Sequence, residues 1–213
     1  NKYFNDLAAQ PDGKILAIGN TTYSISSLLV VESFTILRLN ADGSSDTSFD
    51  GNGIVRSQWC EHGSDLSLQT DGKIVAIGLQ ERVSDPSESG VCTQRFNGDG
   101  SVDTSLNFAP ADGMMKQTVF SSQEFTSVEA IAAQLNGKIY VAGWGEVADQ
   151  SYNIAKLIRL NADGTLDTSF MDEGVYEYTN GSTSTYFDDL QVLSDGSLFV
   201  AGEGGIPLGG VIA

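Results

Sequence analysis

Residues 65–78 read DLSLQTDGKIVAIG, and the pattern occurs three more times along the chain. It reads DLAAQPDGKILAIG at 6–19, VEAIAAQLNGKIYVAG at 128–143 and DLQVLSDGSLFVAG at 189–202. The turn glycines Gly13, Gly72, Gly137 and Gly196 stand 59, 65 and 59 residues apart. A second pattern is interleaved with the first: RLNADGSSDTSF at 38–49, RFNGDGSVDTSL at 95–106 and RLNADGTLDTSF at 159–170. Self-similarity at a fixed period is the signature of a repeat architecture.

Each unit reads as four short strands. The first ends at an Asp-Gly or Asn-Gly pair, residue types that tolerate the positive φ of a tight hairpin. The second follows at once, at 15–18, 74–77, 139–142 and 198–201, as a continuous apolar run whose two faces must both be covered. A third, at 34–39, 91–96 and 154–160, leads into the Asn-x-Asp-Gly turn. A weaker fourth follows at 54–59 and 175–178. No capped segment with a 3.6-residue period is present. Four-stranded units with covered inner strands, stacked face to face, are the blades of a β-propeller. The expected blades are 5–59, 64–116, 126–178 and an incomplete 187–213, an all-β fold of three and a half to four units expected to be part of a larger ring, with a compact four-bladed closure as the alternative.

Composition narrows the partners. The 213 residues include 28 Asp and Glu against 11 Lys and Arg, a formal net charge of -17. Phosphate backbones and anionic membranes repel such a chain, so no nucleic acid is expected. No apolar run approaches the roughly 20 residues that span a bilayer, so no transmembrane segment is expected either. With 40% hydrophobic residues and 18% charged ones, the chain has enough apolar side chains to build a core.

The two linked motifs, Q-x-D-G-K-I-x-x-x-G and R-L-N-x-D-G-S-x-D-T-S-F, resemble the delta-60 repeat, a propeller-type repeat of bacterial secreted and surface proteins. Unit two departs from it with Leu106 in the phenylalanine position, and unit four with Ser197 in the lysine position. The resemblance implies a fold and an extracellular setting; it brings no active site with it.

The repeated polar residues admit two readings. Arg38, Arg95 and Arg159 each precede an aspartate (Asp46, Asp103, Asp167) by eight residues across a turn, which suits a charge-assisted latch. The alternative is calcium: Asn40, Asp42 and Asp46, and likewise Asn161, Asp163 and Asp167, space oxygen side chains as a cation-binding loop does. Against it, the glycine falls at the fourth position and no bidentate glutamate follows. Plain Asx-turns use the same residues.

Strand direction places the loop between second and third strands on the rim where the chain approaches the first strand. Cys60 and Cys92 both fall on that rim of unit two, so a disulfide is expected, with two unrelated buried thiols as the alternative. Such a bond belongs to an oxidising compartment. The same rim carries the non-repeating sequence at 20–33, 79–90, 144–153 and 203–209, together with 59–64, 117–126 and 179–186. Variable loops on a rigid scaffold are where recognition resides. Tyr23, Trp59, Trp144 and Tyr186 offer stacking faces, and Glu61, Glu81, Asp85 and Glu146 offer hydrogen-bond acceptors, a combination suited to a sugar or a peptide.

Catalysis has little support. His62 is the only histidine, no G-x-S-x-G element presents a nucleophile, and Gly202-Glu203-Gly204-Gly205 precedes no helix. The leading expectation is a non-catalytic scaffold or adhesion module, secreted or at a bacterial cell surface, that binds a glycan, a protein or a neighbouring subunit. One alternative is an extracellular polysaccharide hydrolase or lyase with carboxylates at the ring centre. Another is a structural subunit of an extracellular assembly.

Overall fold

The computed structural model describes residues 2–26, 29–57, 60–80, 90–104, 114–115, 127–146, 151–204 and 210–212. Four antiparallel sheets follow one another along the chain. The first is β1 (Lys2–Ala9), β2 (Ile15–Ser26), β3 (Leu29–Leu39) and β4 (Ile54–Arg56). The second is β5 (His62–Leu68), β6 (Ile74–Gln80), β7 (Gly90–Phe96) and β8 (Met114–Met115). The third is β9 (Ser127–Ala133), β10 (Ile139–Glu146), β11 (Asn153–Leu160) and β12 (Val175–Tyr178). The fourth is β13 (Tyr186–Val192), β14 (Leu198–Glu203) and β15 (Gly210–Ile212). Each sheet is a meander in chain order, and no helix occurs among the described residues.

Stacking of these sheets makes a β-propeller. The first strands of successive sheets, β1, β5, β9 and β13, lie against one another, while the fourth strands make no comparable approach among the described residues. The sheets therefore converge at one edge and splay at the other, as blades do around an axis. Three apolar layers fill the junctions. Leu16, Ile18 and Ile36 of the first unit meet Leu66, Ile74 and Phe96 of the second. Val75 and Ile77 meet Ile131, Ile139 and Ile158. Tyr140, Ala142 and Leu157 meet Phe187, Leu190 and Val200. The second strands supply both layers on either side of them, which is why their sequence does not alternate.

The repeated residues have local causes. In unit two the hairpin loop has three residues: Gln69 N donates to Lys73 O at 2.8 Å and Gly72 N to Gln69 O at 3.0 Å. Asp71 Oδ1 accepts from Lys73 N at 3.1 Å, and only Gly72, at φ +83°, turns left-handed. The glycine that ends the motif has another role. A Cβ on Gly78 would sit 1.7 Å from His62 O, and Gly19, Gly143 and Gly202 meet Tyr3 O, Ser127 O and Tyr186 O in the same way. Beside each such contact the first strand carries a bulge, with Asn5, Ser64, Glu129 and Asp188 as the extra residues. The bulge pushes a carbonyl onto the second strand, where only a residue without a side chain fits.

One expectation needs correcting. Residues 20–26 and 29–33 are not a rim loop: they continue β2 and β3 as paired antiparallel strands, with Thr21 opposite Ser33 and Tyr23 opposite Val31. The segment is rich in Thr, Tyr, Val and Leu, which favour strand, and Thr21 and Thr35 share a buried hydroxyl bond of 2.7 Å. The fourth strand of unit one is also shorter than expected, ending at Arg56.

Candidate binding rim and axis

The arginine–aspartate latch is present in all three units that carry the second motif. Arg38 Nε reaches Asp46 Oδ2 at 2.7 Å, Arg95 reaches Asp103 at 2.7 Å and Arg159 reaches Asp167 at 2.6 Å. The lysine of the first motif joins the same oxygen: Lys14 at 3.0 Å, Lys73 at 3.1 Å, and Lys138 on Asp167. Asp46 Oδ1 accepts in turn from Ser48 N and Oγ. The Ser48 hydroxyl, with Lys14 and Arg38, holds the Asp46 carboxyl well below the usual carboxylate range. At Asp167 burial works in the opposite direction, and Lys138, Ser169 and Arg159 together outweigh it and keep that carboxyl equally low. The closing phenylalanines cover the guanidinium groups, Phe49 over Arg38 at 4.5 Å and Phe170 over Arg159 at 4.6 Å. One motif thus accounts for four of its own residues.

The arginines also join successive sheets. Arg38 Nη1 donates to Gly98 O at 2.5 Å and Arg95 Nη1 to Ala162 O at 2.7 Å, both carbonyls lying in the Asn-x-Asp-Gly turn of the next unit. The other residues considered for calcium form Asx-turns. Asp42 Oδ1 accepts from Ser44 N and Oγ, Asp163 Oδ1 from Thr165 N and Oγ1, and Asn40 and Asn161 donate to Ser44 Oγ and Thr165 Oγ1. Among the described residues no three His, Cys, Asp or Glu side chains are gathered as a metal cage.

Unit two carries the sulfur bridge. Cys60 and Cys92 form a disulfide between buried residues, with Cα atoms 5.9 Å apart and a sequence separation of 32. Cys60 is tied to unit one as well, since its carbonyl accepts from Phe34 N at 2.9 Å. The neighbouring His62 lies 3.0 Å from the Asn20 amide and 3.8 Å from Glu32.

On the rim, the structure brings Trp144 and Tyr186 together across the third junction. Their rings meet edge to face with centroids 5.5 Å apart. Trp144, near the end of β10, donates through Nε1 to Glu129 at 3.2 Å, and Asn153 Nδ2 lies 3.3 Å from the Tyr186 hydroxyl. Glu203 sits directly opposite Tyr186 on β14. Burial, and then the charges of Glu203 and Glu129, push the Asp188 carboxyl above its ordinary value, so three acids share this corner. Two half-exposed aromatic rings beside three carboxyl groups present stacking surface and acceptors together.

The axis carries a second arrangement. Asp65 on β5 accepts from Leu66 N at 2.6 Å and from Ile131 N of the next unit at 2.7 Å. Burial pushes its carboxyl up to about 8, and a hydrogen bond to Asp6 and the Asp6 charge act in the same direction. Burial, with Asp6 of the adjacent first strand, thus favours the protonated form of Asp65 near neutral pH.

These contacts follow the repeat, and so does the decisive likeness. The sequence profile described as "Domain of unknown function (DUF5122) beta-propeller" matches residues 10–49, 69–106 and 134–170, in units one to three from the turn glutamine to the end of the second motif. The chain belongs to the DUF5122 β-propeller family. No curated protein matches this DUF5122 chain. Solved structures similar to it include an endo-arabinase from Bacteroides thetaiotaomicron, at 14% identity and a TM-score of 0.47, covering 97% of this chain and 72% of that one. A glucose dehydrogenase is similar at 12% identity and a TM-score of 0.44, covering 94% and 80%. A glycosyl hydrolase from Bacteroides ovatus is similar at 11% and 0.32, covering 99% and 83%.

Of the rim residues singled out from sequence, the DUF5122 structure joins Trp144 with Tyr186. Glu146 is exposed at the end of β10, opposite Asn153, and Glu61 lies beside the disulfide, its amide donating to Leu79 O at 3.0 Å. Tyr23 sits within β2, opposite Val31, on the extended hairpin. Trp59, Glu81 and Asp85 lie outside the described residues. Sequence reading missed Glu129, Asp188, Glu203, Asp6 and Asp65. The Asp of the DL pair was visible as a repeat, but its approach to a second carboxyl depends on how adjacent sheets pack.

Proposed function

We propose that this chain is a non-catalytic, extracellular propeller scaffold or adhesion module of the delta-60 type, and that it binds a glycan through its variable rim. The observation that carries the reading is the Trp144–Tyr186 pair set against Glu129, Asp188 and Glu203. Sugar C–H faces stack on aromatic rings, and sugar hydroxyls donate to carboxylates; both kinds of group are present at one corner. The Cys60–Cys92 bond supports an oxidising, extracellular setting. The test is a glycan array followed by titration calorimetry with the parent and Trp144→Ala. Binding by the parent that Trp144→Ala loses supports the reading, whereas equal binding by both moves the site elsewhere.

A second reading draws on Asp6 and Asp65. A carboxyl that stays protonated near neutral pH beside a second carboxyl is the equipment of an acid–base hydrolase or lyase acting on polysaccharides at the axis. Release of new reducing or unsaturated ends from a polysaccharide, abolished by Asp65→Asn, favours this reading over the first.

A further inference from the structure

Most of the chain's basic residues are consumed by ion pairs away from the rim corner. Lys14 and Arg38 hold Asp46, Lys73 and Arg95 hold Asp103, Lys138 and Arg159 hold Asp167, and Lys156 holds Glu177 at 3.0 Å. These are seven of the 11 Lys and Arg. Residues 127–213 carry 12 Asp and Glu against three basic residues, Lys138, Lys156 and Arg159, and all three are committed to those pairs. At the corner the pattern reverses. Glu129, Asp188 and Glu203 stand together around Trp144 and Tyr186, and among the described residues no Lys or Arg makes an ion pair with any of them. Burial and the charges of Glu203 and Glu129 all push the Asp188 carboxyl upward, whereas Ser48, Lys14 and Arg38 draw that of Asp46 down.

We propose that the rim corner takes a glycan bearing free amino groups, its sugar ring against Trp144 and Tyr186 and its ammonium among Glu129, Asp188 and Glu203. This rests on the rim reading above and narrows its ligand class to amino sugars. Two observations select an organic cation over a metal ion. The three carboxyls repel one another, yet among the described residues no three acidic side chains are gathered tightly enough to cage a compact metal ion. The surface beside them is aromatic, with ring centroids 5.5 Å apart, and π faces attract ammonium groups as readily as they stack on sugar C–H faces. The Trp144 indole N–H already donates to Glu129 at 3.2 Å, which fixes a carboxylate at the edge of the stacking ring. An ammonium has three N–H donors and no acceptor, so it satisfies several carboxylate oxygens at once and relieves their repulsion. An N-acetyl group carries no charge and leaves the repulsion in place. The net charge of -17 also draws amine-bearing polymers towards the chain over a longer range.

Titration calorimetry in mildly acidic buffer tests this, with glucosamine oligomers and N-acetylglucosamine oligomers of the same length. The parent is expected to bind the amino form about tenfold or more tightly than the acetylated form, the size of one hydrogen bond to a charged group. Added salt should erode the difference. Glu129→Gln combined with Asp188→Asn keeps an acceptor for the Trp144 indole and removes two charges. The ratio between the two oligomers should then fall towards one, while a melting temperature at or above the parent's shows that the fold is kept. Asp188→Asn alone, at an exposed side chain, should lower the ratio by a smaller factor and serves where the double variant does not fold. Equal binding of the two oligomers by the parent overturns the proposal, and leaves the glycan reading standing if Trp144→Ala abolishes both. Binding of neither oligomer overturns it too, and the rim reading fails with it if no other glycan binds through Trp144. An unchanged ratio in the variants places the charge effect elsewhere on this acidic chain and overturns it as well.

Discussion

Arg95 donates through Nη1 to the carbonyl of Ala162, 2.7 Å away and one sheet further along the chain, while its Nε holds Asp103 at 2.7 Å. A buried guanidinium thus fastens its own turn and the next unit's turn together. Among the described residues Arg159 reaches no such carbonyl: its Nη1 lies 3.4 Å from the Tyr140 hydroxyl, and its side chain is the most exposed of the three. Arg95→Ala is therefore expected to cost about 3–5 kcal/mol, the range for breaking a buried ion pair from one side. Arg159→Ala should cost distinctly less. Urea unfolding of both variants measures the difference, and equal losses would remove the cross-sheet bond from the account.

The repeated glycines separate two kinds of constraint. Gly78→Ala forces a methyl group against His62 O and is expected to cost about 3 kcal/mol or more, as overpacking against backbone does. Gly72→Ala meets nothing within 4 Å and has only the left-handed φ to overcome, about 1–2 kcal/mol. Thermal melts of the two variants should fall in that order.

Two pH effects of opposite sign occur in different windows. Asp46 and Asp167 have carboxyls held far below their unfolded values, so their contribution is present above pH 4 and is lost as the pH falls further. Asp65 is raised to about 8, so between about pH 4 and pH 8 the folded state binds a proton that the unfolded state has released. Stability then falls as the pH rises through that window. Asp65→Asn, which keeps an acceptor for Ile131 N and a donor for Asp6, should flatten the slope between pH 4 and 8 and leave the acid limb unchanged.

Removing the sulfur bridge with Cys60→Ala and Cys92→Ala together should lower stability by about 3–4 kcal/mol, the chain-entropy value for a loop of this length. Denaturant curves of the oxidised parent and the double variant give the number.

Calcium is expected to leave the melting temperature unchanged. The oxygens it would need at Asp46 and Asp167 already accept from arginine, lysine and serine, and those at Asp42 and Asp163 close their own turns. A rise in melting temperature with added calcium, absent with magnesium, would return these loops to consideration as a cation site.

Much of the fold was legible because the repeat records backbone requirements. Gly72 marks a left-handed turn, Gly78 a bulge on the neighbouring strand, and the eight-residue step from Arg95 to Asp103 a latch. The site was less legible. Trp144 and Tyr186 were visible as rim aromatics, but Glu129 and Asp188 gained meaning only from bulges that redirect single residues of the first strand. The approach of Asp6 to Asp65 spans 59 residues and depends on sheet packing, which no local pattern encodes. The strand pairing of 20–26 with 29–33 is not legible in the repeat, because the other units place different sequence there.

The bulges have one more consequence. In all four units the extra residue of the first strand falls at the same place beside the same glycine, yet it is an amide at Asn5, a hydroxyl at Ser64 and a carboxylic acid at Glu129 and Asp188. The backbone there is indifferent to which side chain it carries. Like the dials of a combination lock, these four positions can each be reset by a single codon change while the mechanism behind them stays put, so members of one lineage could acquire new molecular preferences without rebuilding their frame.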